Sequence, residues 1–195
     1  VLDLGGGVAG QGLLHRAVLR LVALSPRAAA GSGGGGGGVV DRDAGDFPVF
    51  ESGAILVYLA DKTGQLLPRD PAARYQVLQW LMFQMGGVGP MFGQLGFFHK
   101  FAGKDYEDKR PRDRYVAESK RLLGVLNQRL ATRTWMMGDA YTIADMAIFP
   151  WVRNLVGFYG AGELVGFEDF PHVARALAAF VARPAVVRGL GIPAR

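Results

Sequence analysis

Asp46-Phe47-Pro48-Val49-Phe50-Glu51-Ser52-Gly53-Ala54-Ile55, running on through Leu56 to Gly64 (LVYLADKTG), is the stretch whose reading decides the fold. Asp46–Phe50 is a short apolar run. Val39-Val40 stands before it, and the Asp41-Arg42-Asp43-Ala44-Gly45 turn lies between, so the pair predicts a β-hairpin. Ser52 then opens a helix with Ile55, Leu56, Leu59 and Ala60 as its apolar stripe and Gly64 just past its end. Leu66-Leu67-Pro68 follows as an extended linker, because the residue before a proline is biased away from helix.

Downstream, the periodicity turns helical throughout. Asp70-Pro71 starts a long helix with proline in its first turn, and Tyr75, Leu78, Leu81, Met82 and Met85 recur every three or four residues. Gly86-Gly87-Val88-Gly89-Pro90 must bend or interrupt it. A second helix is expected from about Asp113 to Leu130, with Tyr115, Leu122, Leu126 and Leu130 inward. The charges between Lys104 and Arg121 read most simply as a solvated, salt-bridged face. Thr142-Ile143-Ala144-Asp145 predicts a capping box, with Tyr141 and Met146 at the positions of a hydrophobic staple. The helix that follows is apolar nearly all round, so it belongs at the centre of the helical body. Residues 170–190 add one or two more helices, broken by Pro184.

Upstream, the composition changes. All 21 aromatic residues lie at or after Phe47, while residues 1–40 hold 12 of the 29 glycines. The Gly31–Gly38 tract is low-complexity and costly to order, so residues 1–38 are expected to be a poorly ordered leader. Leu13–Leu24 is its one helical candidate; Arg16 and Arg20 interrupt the apolar run and argue against a secretory core. Across the 195 residues the net charge is +5 without a dense basic block, which argues against a nucleic-acid partner. With no cysteine, there is no disulfide framework, thiolate metal site or cysteine nucleophile. Apolar runs fall short of the ~20 residues that span a bilayer. His99 and His172 have no second ligand at metal spacing, so no metal is expected.

The order strand, Glu-Ser-Gly-Ala-Ile, Tyr58-Leu59-Ala60-Asp61-Lys62-Thr63-Gly64 and then an all-helical half with Thr-Ile-Ala-Asp resembles the cytosolic glutathione S-transferase family. Gln79-Trp80-Leu81, Gly86 to Met91, Val125 to Leu130 and Arg183-Pro184-Ala185 are similar to its Nu-class or Ure2-like branch. The resemblance covers roughly residues 39–190. It implies an α+β fold: an incomplete thioredoxin-like N-terminal domain (a remnant at 39–65) followed by an all-α helical bundle domain (71–195). It also implies that Glu51, Ser52 and Val40 hold glutathione. Ser52 at a helix N-terminus offers a hydroxyl, free amides and about half a positive charge to a carboxylate, and Glu51 offers an anion to an ammonium. Without the resemblance, Ser52 would be read as a cap and Glu51 as a solvated surface acid.

By the same resemblance, Met91, Phe92 and Gln94, with Phe97, Phe98 and Trp151, are candidates for a second, electrophile or disulfide pocket. Core or dimer packing explains those aromatic residues equally well. Arg114 is a candidate for a glycyl carboxylate or a second glutathione, although a charged helix face would place an arginine there anyway. The family's cis-proline would fall near Gly36 or Gly37, where this chain has glycine, and no proline stands between Pro26 and Pro48. No first strand followed by a sulfur-polarising residue is recognisable, so the catalytic residue stays unassigned and residues 1–38 read as a truncated or replaced half-domain. The implied function is glutathione transfer to electrophiles or glutathione-dependent disulfide reduction by a cytoplasmic homodimer, with glutathione as cosubstrate. The alternatives are an inactive regulatory scaffold and, should residues 1–30 be a transit segment, an organelle-targeted member.

Overall fold

The computed structural model describes residues 2–3 and 39–190. The Leu13–Leu24 candidate helix, the glycine tract and the Gly36–Gly37 position lie outside the described residues. Three strands form one small sheet in the order β1 (Leu2–Asp3), β2 (Val39–Asp41), β3 (Phe47–Val49). The hairpin expected at 39–50 is present: β2 and β3 run antiparallel, with Val39 opposite Val49 and Asp41 opposite Phe47. β1 pairs in parallel with β2, Leu2 opposite Val39. That strand was not expected, because two residues carry no alternation for a pattern to reveal.

Helix α1 (Ser52–Thr63) buries Ile55, Leu56, Leu59 and Ala60 and ends on Gly64 at φ 67°, a left-handed residue that glycine adopts without strain. A buried charge cluster ties it to the hairpin. Asp41 in β2 is fully buried; it accepts a hydrogen bond from the Tyr58 hydroxyl at 2.6 Å and pairs with the Lys62 ammonium at 2.6 Å. Lys62 first, then Tyr58, holds the Asp41 carboxyl below the usual carboxylate range, and Asp41 in turn raises Lys62.

The helical body begins with α2 (Pro71–Phe83), capped by the Asp70 carboxylate on the Ala73 amide. A π-helical turn over Gln84–Val88 joins it to α3 (Gly89–Lys100). The Gly-Pro segment therefore interrupts the α-hydrogen-bond ladder without ending the helical path, as π-bulges do. Helix α4 (Arg110–Leu130) packs on α3 and starts three residues before the expected Asp113, because Pro111 is accommodated in its first turn. Its charged face carries the expected ion pairs, among them Arg121 with Glu118 and Arg112 with Asp113.

Helix α5 (Ile143–Arg153) contacts α1, α2, α3 and α6, and Ile143 through Pro150 are all buried. It is the central helix that its all-round apolar sequence predicts. Its capping box is formed: the Thr142 amide donates to Asp145 Oδ2 at 2.9 Å, and the Met136 amide donates to Asp145 Oδ1 at 2.8 Å. Burial pushes the Asp145 carboxyl up to about 6 against the pull of these donors. A second π turn (Asn154–Phe158) extends α5. Helices α6 (Pro171–Val181) and α7 (Pro184–Leu190) close the bundle, Pro184 beginning the latter. The fold is thus α+β and mostly helical, a partial thioredoxin-like unit joined to a helical bundle.

Candidate functional site

Between β3 and α1 the chain makes a sharp corner at Glu51, whose φ of 67° and ψ of 125° lie in a region that side-chain-bearing residues avoid. Such a residue stores roughly 1–3 kcal/mol of backbone strain and persists only where its surroundings impose it. Among the described residues no side chain caps this helix, so its first amides are left without intrahelical partners beside an exposed carboxylate. The Ser52 hydroxyl does not cap either; among the described residues its partner is the Met85 sulfur, a weak acceptor 3.9 Å away.

Glu51 and Ser52 open onto a cavity of about 700 Å³. Its other walls come from the π turn (Gln84, Met85), from α3 and the residues after it (Gly89, Pro90, Gly93, Gln94, Phe97, Phe101, Ala102) and from the α5 region (Trp151, Tyr159). One end is charged and hydroxyl-bearing and the other is aromatic. Such a space can hold a small polar peptide beside a less polar group.

The sequence-derived candidates separate according to helical phase. Gly89, Gly93, Phe97 and Phe101 succeed one another every four residues along the cavity wall, with Gln94 and Pro90 beside them. Phe92 is fully buried in the core on another face of α3, and Met91 is half-buried against that core; neither lines the cavity. Phe98 stacks with Tyr115 at 5.6 Å and Arg114 is exposed on α4, so both also lie outside the lining. Val40 sits in β2 opposite Pro48 and is half-buried. Trp151 does line the cavity.

Sequence reasoning missed Gln84, Met85 and Tyr159. Gln84 was hidden inside an apparently continuous amphipathic helix, although a polar residue one position before an apolar Met-Gly-Gly run was a usable signal. Tyr159 carries no motif. Among the described residues no group of three or more His, Asp or Glu side chains could hold a metal ion, and no helix is long and apolar enough to cross a membrane.

Comparison with known proteins places this arrangement. Residues 88–184 match the family model described as "Glutathione S-transferase, C-terminal domain". The Escherichia coli K12 disulfide-bond oxidoreductase YghU is 43% identical over 143 residues, which are 72% of this chain and 49% of that protein. Among solved structures, a Burkholderia graminis glutathione transferase with two glutathione molecules bound per subunit is 57% identical, with a TM-score of 0.81 over 95% of this chain and 85% of that one. A Pseudomonas putida glutathione transferase with one glutathione disulfide bound per subunit is 52% identical, TM-score 0.80, covering 94% and 88% respectively. The chain belongs to the glutathione S-transferase family, in its Ure2-like branch. It spans about half the length of the curated relatives it matches first.

Proposed function

We propose that this chain binds glutathione at the Glu51–Ser52 corner and uses its thiol on a disulfide or small electrophile held in the aromatic end of the same cavity. Glu51 pairs with the ligand's α-ammonium, while the Ser52 hydroxyl and the free amides of α1 receive its α-carboxylate. The observation that carries this reading is a strained, uncapped helix start opening into a cavity large enough for a peptide. Binding of glutathione and of glutathione disulfide by the Burkholderia and Pseudomonas relatives supports it.

Disulfide reduction is the preferred reaction, because relatives named as disulfide-bond oxidoreductases match this chain at 43% and 44% identity. Residues 39–65 would serve as the peptide-binding unit and 71–195 as the helical unit, in a cytoplasmic homodimer. A small symmetrical disulfide incubated with glutathione and the protein tests the reaction: turnover above the uncatalysed exchange rate is expected, together with a lower rate in Ser52→Ala. The second reading is an inactive scaffold, favoured by the glycines where the family has a cis-proline. It predicts no retention on immobilised glutathione by a protein that still melts cooperatively.

A further inference from the structure

Of the six methionines in a chain without cysteine, Met85 alone lines the cavity that Glu51 and Ser52 open onto. It lies half-buried in the π turn, and the Ser52 hydroxyl donates to its sulfur across 3.9 Å. Glycine at position 53 leaves that sulfur room against the first turn of α1: a Cβ there would stand 3.1 Å from Met85 Sδ and 3.1 Å from its Cε. Met136 and Met146, by contrast, are enclosed in the core at 0% and 1% exposure, and Met82 is exposed on α2 outside the cavity lining.

A thioether is a weak acceptor, so it holds the Ser52 hydroxyl loosely and leaves it ready for a stronger partner. It is also readily oxidised. A sulfur lone pair attacks a peroxide oxygen, an S–O bond forms as the O–O bond breaks, the sulfur gives up two electrons, and the peroxide is reduced to water or, from an alkyl hydroperoxide, to an alcohol. The product is a polar sulfoxide that sulfoxide reductases return to the thioether. On Met85 the new oxygen is a strong acceptor beside Ser52. An O–H···O bond of about 2.7–2.8 Å can then replace the 3.9 Å contact to sulfur, and the hydroxyl is no longer free for a carboxylate.

We propose that Met85 is a reversible oxidation site that regulates this corner: hydrogen peroxide or an alkyl hydroperoxide converts it to the sulfoxide, which captures the Ser52 hydroxyl and lowers the affinity for glutathione. This rests on the glutathione reading above and adds the regulation of that site.

Treatment of the intact chain with hydrogen peroxide, removal of the excess with catalase, peptide mass mapping of each methionine and calorimetric titration with reduced glutathione test it. Met85 sulfoxide should form well before oxidation of Met136 or Met146, and affinity should fall by about five-fold or more as it accumulates. Methionine sulfoxide reductases of both stereospecificities should restore the affinity. Met85→Leu, compared with itself before and after peroxide, should change by less than about two-fold. So should Ser52→Ala, because the hydroxyl that the sulfoxide captures is gone and the two effects are not additive. Unchanged wild-type affinity at full conversion of Met85 overturns the proposal and leaves the glutathione reading standing. Oxidation of Met85 no faster than of the enclosed methionines does the same, as does a fall in affinity that persists in Met85→Leu. Failure of the untreated, folded wild type to bind reduced glutathione overturns that reading and the proposed regulation with it.

Discussion

Two helix starts in this molecule are built to opposite ends. At α5, Thr142 and Asp145 satisfy the free amides, Met136 adds a further donor to the same carboxylate, and the whole corner is buried. At α1, no side chain among the described residues caps the helix, Glu51 is held at φ 67°, and the corner opens onto a cavity of about 700 Å³. The first arrangement spends its polar groups on stability. The second leaves them unsatisfied at some cost in stability, which is the expected signature of a corner reserved for a ligand.

That contrast can be broken first at Asp145. Asp145→Ala leaves the buried Met136 and Thr142 amides without acceptors, and it is expected to cost about 3 kcal/mol or more in denaturant unfolding. A loss under 1 kcal/mol would remove α5 as the stable reference. The same carboxyl has a pH signature. Its folded pKa, raised to about 6 from 3.8, means the native state binds this proton more tightly than the unfolded state does. Its contribution to stability is therefore greatest below about pH 4 and declines as pH rises towards 6. The stability difference between wild type and Asp145→Asn should shift in that window, and a flat difference from pH 3.5 to 7 would contradict the assignment.

Steric crowding comes next in size. Gly96→Ala drives a methyl group into the Tyr159 ring, and such overpacking is expected to cost about 1–3 kcal/mol while disturbing the cavity wall. An unchanged melting temperature with unchanged ligand affinity would show that the ring moves freely. Smaller again is Glu51→Gly. Glycine relieves the left-handed strain and should raise stability by about 1 kcal/mol while weakening glutathione binding, a sign that Thr142→Ala, losing about 1 kcal/mol, should not share. Equal destabilisation of both variants would erase the distinction between the two starts.

The difference between these regions also marks what could be read from the chain alone. The α5 capping box was legible because Thr142 and Asp145 lie within four residues of one another, whereas the Met136 amide that joins them comes from nine residues before Asp145. The Glu51–Ser52 corner could be located but its strain could not, since a left-handed φ at a glutamate leaves no composition signal. The aromatic end was only half legible. Met91, Phe92, Gln94, Phe97 and Phe98 were grouped by nearness in sequence, whereas the four-residue step of α3 puts Gly93, Phe97 and Phe101 on the cavity and Phe92 in the core. Gln84 and Tyr159 meet that cavity from elements far apart in the chain, brought there by the π turn and the end of α5, so no window of sequence contains both. Strand β1 escaped notice for its brevity, and the early start of α4 because Pro111 was not read as a first-turn residue.

The most direct test is a titration of reduced glutathione into wild type and Ser52→Ala, followed by melting of both proteins. Among the described residues Ser52 makes no strong hydrogen bond, so its removal should leave the melting temperature essentially unchanged and weaken binding by about ten-fold or more. Equal affinity in the two proteins, or no binding to a folded wild type, would contradict the claim that this open helix start is a seat for glutathione.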